Sequence, residues 1–146
     1  MMRTLVFEMQ LAGEPVGKGR PRFSRATGHT YTPEKTARFE ERLAWGAQSL
    51  WGGKPLLESE LVLYVAAYFS IPKSKPKTWK DKAEAQEIRH TKKPDIDNVI
   101  KGVADSLNKI VYVDDSQIVA IKAAKFYSHN PRIEIKIFKA VDLSVF

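Results

Sequence analysis

The chain has 146 residues, of which 43% are hydrophobic, which is enough to build one ordinary core. Its 24 lysine and arginine residues exceed its 17 acidic residues, and the formal net charge of +7 favours a polyanionic partner such as nucleic acid or an anionic membrane. Cysteine is absent, which excludes disulfides and thiolate metal sites.

The first predicted element is a strand with one wet face. Between Arg3 and Gly13, polar side chains alternate with an apolar face made of Leu5, Phe7, Met9 and Leu11. The segment from Glu14 to Tyr31 is rich in Gly, Pro and Arg, which predicts a loop.

A helix is predicted next, capped by Thr32 and with Pro33 at its first position. Its apolar stripe consists of Phe39, Leu43, Ala47 and Leu50. The glycines of the segment Gly52–Pro55 are expected to end it.

The segment Ser59–Pro72 is apolar on both faces and rich in β-formers, which predicts a central strand. Its longest apolar run, Leu61–Phe69, is far shorter than the roughly 20 residues of a spanning helix. Glu8 and Gln10 also interrupt any signal-peptide core. We therefore expect a cytoplasmic protein with no membrane partner.

Residues 72–93 form a basic connection in which a short helix is predicted near Thr78–Ile88. Another helix is predicted from Asp95 to Lys109, with one apolar side made of Val99, Val103 and Leu107.

The last two elements, Gln117–Ser128 and Arg132–Ala140, are predicted to be strands that pair as a hairpin. The whole set amounts to about four strands in a mixed sheet with two or three helices. This pattern predicts a two-layer α+β fold. Because no linker divides the chain, we expect one domain over residues 1–146.

Two carboxylates stand close together at the start of the predicted helix. Asp97 suits the cap of a helix that begins near Asn98, but that leaves Asp95 without a structural reason. Two carboxylates this close repel each other unless a cation lies between them. Because Mg²⁺ takes oxygen ligands of this kind, the pair indicates a metal site.

Lys101 lies four residues after Asp97, and Asp105 continues the same helix face. An exposed ion pair along this face is the structural alternative, worth only a few tenths of a kcal/mol. The functional interpretation places the Lys101 ammonium beside the metal, aimed at a phosphate. A second acidic pair, Asp114 and Asp115, precedes the next strand, and a solvated turn is its structural alternative.

Taken together, the segments KPDIDNVIKGVADSL and VDDSQIV resemble the RusA family of Holliday-junction resolvases, small homodimeric endonucleases of bacteria and prophages. The shared pattern is P-D-x-D-N, a lysine four residues after the second aspartate, and D-D-x-Q after the helix. The segments GKGRPRFS and YTPEKTARFE also look like the front half of many members, so the resemblance runs from about residue 13 to residue 127.

The resemblance implies a Mg²⁺-dependent endodeoxyribonuclease, with Mn²⁺ as an alternative ion, that resolves four-way junction DNA as a homodimer. It implies that Asp95, Asp97 and Asp115 are metal-binding catalytic carboxylates and that Lys101 is the catalytic lysine. Asp114 is a weaker candidate. The basic residues expected to bind DNA phosphates are Lys18, Arg20, Arg22, Arg25, Lys73, Lys75, Lys92 and Lys93.

Two alternatives stay open at this level. The first is a non-catalytic protein that binds junctions or single strands, in which Phe23, Tyr31 and Trp79 stack on bases instead of packing in the fold. The second is a metal-dependent hydrolase of small phosphoesters, against which the basic excess argues. The proposed dimer interface is equally open, because the stripe Phe39–Leu50 and the helix face Val99–Leu107 each suit an interface or a core.

Overall fold

A four-stranded mixed sheet is the framework of the computed structural model, which describes residues 4–31 and 33–140. The strands are β1 (Thr4–Ala12), β4 (Leu61–Ser70), β5 (Ile118–Ser128) and β6 (Arg132–Lys139), in the order β1-β6-β4-β5. β4 runs parallel to β5 and antiparallel to β6, which pairs antiparallel with β1. A separate short ribbon, which the sequence did not predict, joins β2 (Arg22–Phe23) and β3 (Thr30–Tyr31).

Three helices, α1 (Glu34–Trp51), α2 (Lys77–Glu84) and α3 (Ile96–Leu107), share one core with the main sheet. α1 packs on β1 and α3, while α2 and α3 contact β5. The predicted α+β class, with its four-stranded mixed sheet, is therefore confirmed. No helix among the described residues is long and apolar enough to cross a membrane.

The predicted hairpin of the last two strands is wrong, because β4 lies between β5 and β6. The short connection His129–Pro131 passes the end of β4 instead of joining paired strands. The physical reason is the composition of β4, in which Leu61, Val62 and Leu63 are at most 1% exposed. A strand that is apolar on both faces is most stable inside a sheet, with a partner on each side.

The two apolar stripes that suited either a core or an interface belong to the core, except for Leu50 at the end of the α1 stripe. Val99, Val103 and Leu107 are completely buried, and Phe39 and Leu43 are buried against them. α1 and α3 pack on each other through these stripes. The buried residues of the two stripes are therefore not available to a dimer interface.

Helix α1 differs from its prediction at both ends. Pro33 is the cap residue, not the first helical residue, and Thr32 lies outside the described residues. Leu50 is 56% exposed, and Trp51 takes the buried position because it continues the four-residue spacing of the stripe. Gly52 ends the helix as predicted, with a left-handed φ of 65°.

Helix α2 is shorter than predicted, because Gln86 adopts a φ of 66° and stops it well before Ile88. Its Trp79 ring lies 5.4 Å from the Tyr127 ring, edge to face, and is partly buried against the core. For Trp79 the packing interpretation therefore holds.

Candidate metal and phosphate site

The N-terminal cap of helix α3 lies two residues before the predicted cap, and this exchanges the roles of its two aspartates. Asp95, not Asp97, occupies the cap position, and its backbone carbonyl accepts from the amides of Asn98 and Val99 at 3.1 and 3.2 Å. Its side chain makes no capping hydrogen bond. Asp97 lies in the first turn, where its Oδ1 accepts from the Asn98 amide at 3.0 Å. Because main-chain hydrogen bonds form the start of the helix, neither carboxylate is used as a side-chain cap. Both carboxylates are exposed at the N-terminal end of α3.

Lys101 is exposed one turn further along α3 and forms no ion pair with another described residue. The structural alternative, a pair with Asp97 or Asp105, is not made. Asp105 instead binds Lys18, with 3.1 Å between Oδ2 and Nζ. The Lys101 ammonium is therefore available to a ligand that approaches the first turns of the helix.

The two aspartates of the second acidic pair differ, because only Asp114 uses its side chain in the local structure. Asp114 caps the short 3-10 turn Asp115–Gln117: its Oδ2 accepts from the Ser116 amide at 3.1 Å, and its own amide donates to Gln117 Oε1 at 2.9 Å. The hydrogen bond from Ser116 lowers the pKa of the Asp114 carboxyl. The Asp115 carboxylate has no such partner among the described residues.

Asp115 lies near the C-terminal end of α3, away from Asp95 and Asp97. Tyr112 marks this end, because its hydroxyl donates to the Ala104 carbonyl at 2.5 Å. Burial raises the pKa of Tyr112, and the negative charge of Asp115 adds to the effect. The 12 residues of α3 span about 18 Å. Accordingly, no three Asp, Glu or His side chains in the described part of the chain form a group that could hold a metal ion.

A cleft of about 860 Å³ opens beside Asp95. It contains four of the predicted DNA-binding residues, Lys18, Arg20, Arg22 and Lys93. It also contains Lys35, from the first turn of α1, which sequence reasoning did not single out. Nothing in the spacing of Lys35 distinguishes it from an ordinary exposed helix lysine, so only the fold reveals its position.

The loop that carries these cations is fixed between α1 and α3. The Lys18 amide donates to the Asn98 carbonyl at 2.9 Å, and the Thr36 hydroxyl donates to the Gly17 carbonyl at 3.3 Å. A Cβ on Gly17 would come within 2.5 Å of the Pro94 side chain, so only glycine allows this approach. The loop is thus held against the segment that leads into Asp95.

Lys18, a predicted DNA-binding residue, already forms two ion pairs within the protein. Its Nζ lies 2.9 Å from Glu40 and 3.1 Å from Asp105. Burial acts to lower the pKa of Lys18, but the hydrogen bonds with Glu40 and Asp105 outweigh it, so the pKa is raised. Its charge is thus already balanced inside the protein, and its contact with DNA stays a prediction.

The other predicted DNA-binding residues lie on the surface. Six of them have exposed side chains that form no ion pair with another described residue: Arg20, Arg22, Arg25, Lys73, Lys92 and Lys93. Lys75 lies over the Trp79 ring, 5.0 Å from its centroid. On the β2–β3 ribbon, Phe23 is 63% exposed and Tyr31 49%, so these two aromatic side chains do not pack in the core.

Comparison with known proteins finds a family that matches most of the chain. The family described as endodeoxyribonuclease RusA matches residues 12–138, which include both acidic pairs and the basic loop that carries Lys18, Arg20 and Arg22. The chain is 43% identical over 129 residues to the uncharacterized protein YqaN of Bacillus subtilis (strain 168), covering 86% of this chain and 90% of that protein. It is 38% identical over 78 residues to the crossover junction endodeoxyribonuclease rusA of Lactococcus phage r1t, covering 53% of each.

Proposed function

Because the chain belongs to the RusA endodeoxyribonuclease family, we propose that it is a Mg²⁺-dependent nuclease that resolves four-way DNA junctions by paired nicking, in recombination and repair. One observation carries this proposal. The exposed carboxylates of Asp95 and Asp97 lie at the tip of α3, beside a cleft lined by cations. A module that only binds DNA has no need of carboxylates among its phosphate-binding residues.

The two carboxylates fit a hard divalent cation. Mg²⁺ is commonly held by one or two carboxylates together with water and substrate phosphate oxygens, which matches Asp95 and Asp97. Mg²⁺ bound there, or Mn²⁺ in its place, would polarise a phosphate oxygen and lower the pKa of an attacking water. The chain contributes the position of both carboxylates at the start of α3, where Asp95 lines the cleft and Asp97 lies in the first turn of the helix.

The basic residues then divide into two groups. Lys101 stabilises the negative charge that develops on the phosphate during cleavage, because its ammonium is free and on the helix that carries Asp97. Arg20, Arg22 and Lys93 in the cleft hold phosphates of the junction arms. Lys35 joins this group by its position in the same cleft.

Paired nicking needs two equivalent sites, for which we propose a homodimer. In its own chain Asp115 begins the 3-10 turn that follows α3, whereas Asp95 and Asp97 stand at the start of α3, and among the described residues the three do not form a group that could hold a metal ion. Its proposed role as a metal ligand therefore needs a second copy. In the proposed dimer, Asp115 of one copy completes the site that Asp95 and Asp97 of the other begin.

The decisive experiment incubates the protein with a labelled synthetic four-way junction in Mg²⁺, with EDTA and with a linear duplex of the same sequence as controls. We expect two symmetrical nicks in the junction with Mg²⁺, none in EDTA and none in the duplex. Asp95→Asn is the matched inactive variant, and it should still bind the junction.

Two results would replace the proposal by its alternatives. Tight junction binding without cleavage in Mg²⁺ or Mn²⁺ would indicate a non-catalytic DNA-binding protein. Metal-dependent hydrolysis of a small phosphodiester that junction DNA does not inhibit would indicate a hydrolase of small phosphoesters.

A further inference from the structure

Lys125 lies on β5 and faces the helices, although this face of the sheet is otherwise largely apolar. It pairs in register with Ala67, which is 1% exposed. Its Nζ lies 5.7 Å from the ring centroid of the buried Phe69. The Lys125 side chain therefore extends over buried apolar residues before its ammonium reaches a hydrogen-bond partner.

That partner is the backbone that leads into the candidate site. Lys125 Nζ donates a 2.6 Å hydrogen bond to the carbonyl oxygen of Lys92. Lys92 precedes Asp95 by three residues, and the Lys125 ammonium also interacts electrostatically with the Asp95 carboxylate. The Lys125 side chain thus ties the segment that precedes Asp95 to β5.

Packing alone does not account for a lysine here. Burial lowers the pKa of Lys125, with Asp95 acting in the opposite direction, so the charged form loses hydration at this position. A methionine would fill the space over Phe69 without that loss. The interactions that require a lysine are the hydrogen bond to the Lys92 carbonyl and the longer-range attraction of its charge to Asp95.

We propose that Lys125 is a positioning residue, whose ammonium ties the Lys92 carbonyl to β5 and so holds Asp95 in the geometry that metal binding requires. This inference rests on the proposed function and adds a residue to it. Lys125 acts through the main chain and through Asp95, not by contact with the reacting phosphate.

The test compares Lys125→Met, which removes donor and charge, with Lys125→Arg, which keeps both. Lys122→Met is the matched control, because Lys122 lies on the same strand, pairs with Tyr64 on the opposite face and stands over that ring at 5.9 Å. The same substitution three residues away thus removes a lysine from β5 without touching the Lys92 segment.

Three measurements are made on each full-length variant: Tm without metal, the rise in Tm on addition of Mg²⁺ without DNA, and the single-turnover cleavage rate across a Mg²⁺ series. We expect Lys125→Met to lose the Mg²⁺-induced rise in Tm, to need several-fold more Mg²⁺ and to cleave about 10-fold or more slowly at limiting Mg²⁺, since small misplacements of catalytic groups have large effects. Lys125→Arg should recover most of the rate, and Lys122→Met should behave as wild type.

Several outcomes would overturn the inference. An unchanged Mg²⁺ dependence in Lys125→Met would do so, even if its metal-free Tm fell, because that indicates a structural role alone. Tighter Mg²⁺ binding would also do so, because it indicates that Lys125 acts only as a neighbouring positive charge. If the wild type neither cleaved nor responded to Mg²⁺, the proposed function itself would fail, whereas a normal wild-type response with an unchanged variant overturns this inference alone.

Discussion

At the scale of single residues, Asp114 and Asp115 show how neighbouring aspartates take different tasks. Asp114 accepts from the Ser116 amide and caps a turn, whereas Asp115 has no partner within the described chain. Gln117 extends the capped turn, because its Nε2 donates to the carbonyls of Leu57 and Ser59 at 2.9 and 3.0 Å. One aspartate therefore stabilises the fold, and the other is free for a ligand.

The first prediction follows from this division. Asp114→Ala should lower the free energy of unfolding, as loss of a cap does, and should retain cleavage. Asp95→Asn, Asp97→Asn and Asp115→Asn should each nearly abolish cleavage, yet keep junction binding and stability. Urea denaturation and single-turnover cleavage measure the two effects. Equal loss of cleavage in the Asp114 and Asp115 variants would contradict the assignment.

The second prediction separates the tasks of the basic residues. Lys101→Ala should lower the single-turnover rate at saturating enzyme by on the order of 10²-fold, because a positioned charge near the developing negative charge is lost. Its junction affinity should change little. Arg22→Ala should instead weaken binding, and flatten its salt dependence by about one phosphate contact. Saturating enzyme should restore cleavage by the Arg22 variant.

Binding and rate measured across a salt series distinguish the two variants. A Lys101→Ala protein that lost affinity but kept its saturated rate would show that Lys101 is one more phosphate contact. Catalysis would then depend on the carboxylates and their metal.

At the scale of elements, the connection between α2 and α3 contains a partly buried histidine, His90, that packs on two aromatic rings. The His90 ring stacks on Phe69 at 3.8 Å and meets Tyr127 edge to face at 5.3 Å. Its buried Nδ1 has no hydrogen-bond partner within residues 4–31 and 33–140. Burial, helped by the positive charge of Lys125, lowers the pKa of His90 from 6.5 to about 4.

The third prediction is a pH dependence with a defined sign. Because the folded pKa lies below the unfolded one, the unfolded state binds the proton first, and stability falls as the pH drops from 6.5 towards 4. We expect His90 to contribute a loss of about 1–2 kcal/mol over this range, after allowance for solvent screening. His90→Phe keeps the stack and should remove that part of the loss. Parallel urea denaturation curves from pH 7 to pH 4.5 would show it, and identical pH profiles for both proteins would contradict it.

Periodicity predicted individual elements well, because each depends on neighbouring residues. The four-residue spacing of Phe39, Leu43 and Ala47 identified α1, and the doubly apolar Leu61–Phe69 identified an interior strand. Pairing of β5 with β6 was predicted wrongly, because strand order depends on which strands bury most, and β4 takes the interior position. A short connection between two strands does not reveal that a third strand lies between them.

The candidate site shows the same limit. The acidic pair of α3 was visible from the spacing of Asp95 and Asp97, and the basic loop was visible from its composition. The cap position was placed two residues late, because either aspartate satisfies the same capping pattern. Lys35 and Lys125 became visible only once the fold had brought them to the cleft and to the Lys92 carbonyl.

At the scale of the whole molecule, part of the positive charge that gives the net charge of +7 is concentrated around one cleft. Close packing of Gly17 against Pro94 holds the basic loop beside Asp95, so that the cleft cations border the acidic tip of α3. A polyanion drawn to this surface would have its backbone guided towards the carboxylates. Attraction and cleavage would then occur on one continuous surface.

The fourth prediction concerns the assembly. We expect light scattering to give twice the 16.6 kDa mass of the chain, both free and with junction DNA. A monomer at working concentrations in both conditions would contradict the homodimer. The surface used must differ from the core residues of the α1 and α3 stripes, which are already buried within the chain.

The proposed dimer also allows a sharper prediction about where each carboxylate acts, since Asp95 precedes α3, Asp115 follows it, and among the described residues they share no group that could hold a metal ion. Both single variants, Asp95→Asn and Asp115→Asn, should be inactive alone. A heterodimer that contains one copy of each, purified through two different tags, has one site with both substitutions and one site with neither if the ligands come from different copies. It should therefore nick the junction at about half the wild-type rate per dimer, with one cut instead of a symmetrical pair. If both carboxylates act within one chain, each site carries a substitution and the heterodimer stays as inactive as its parents.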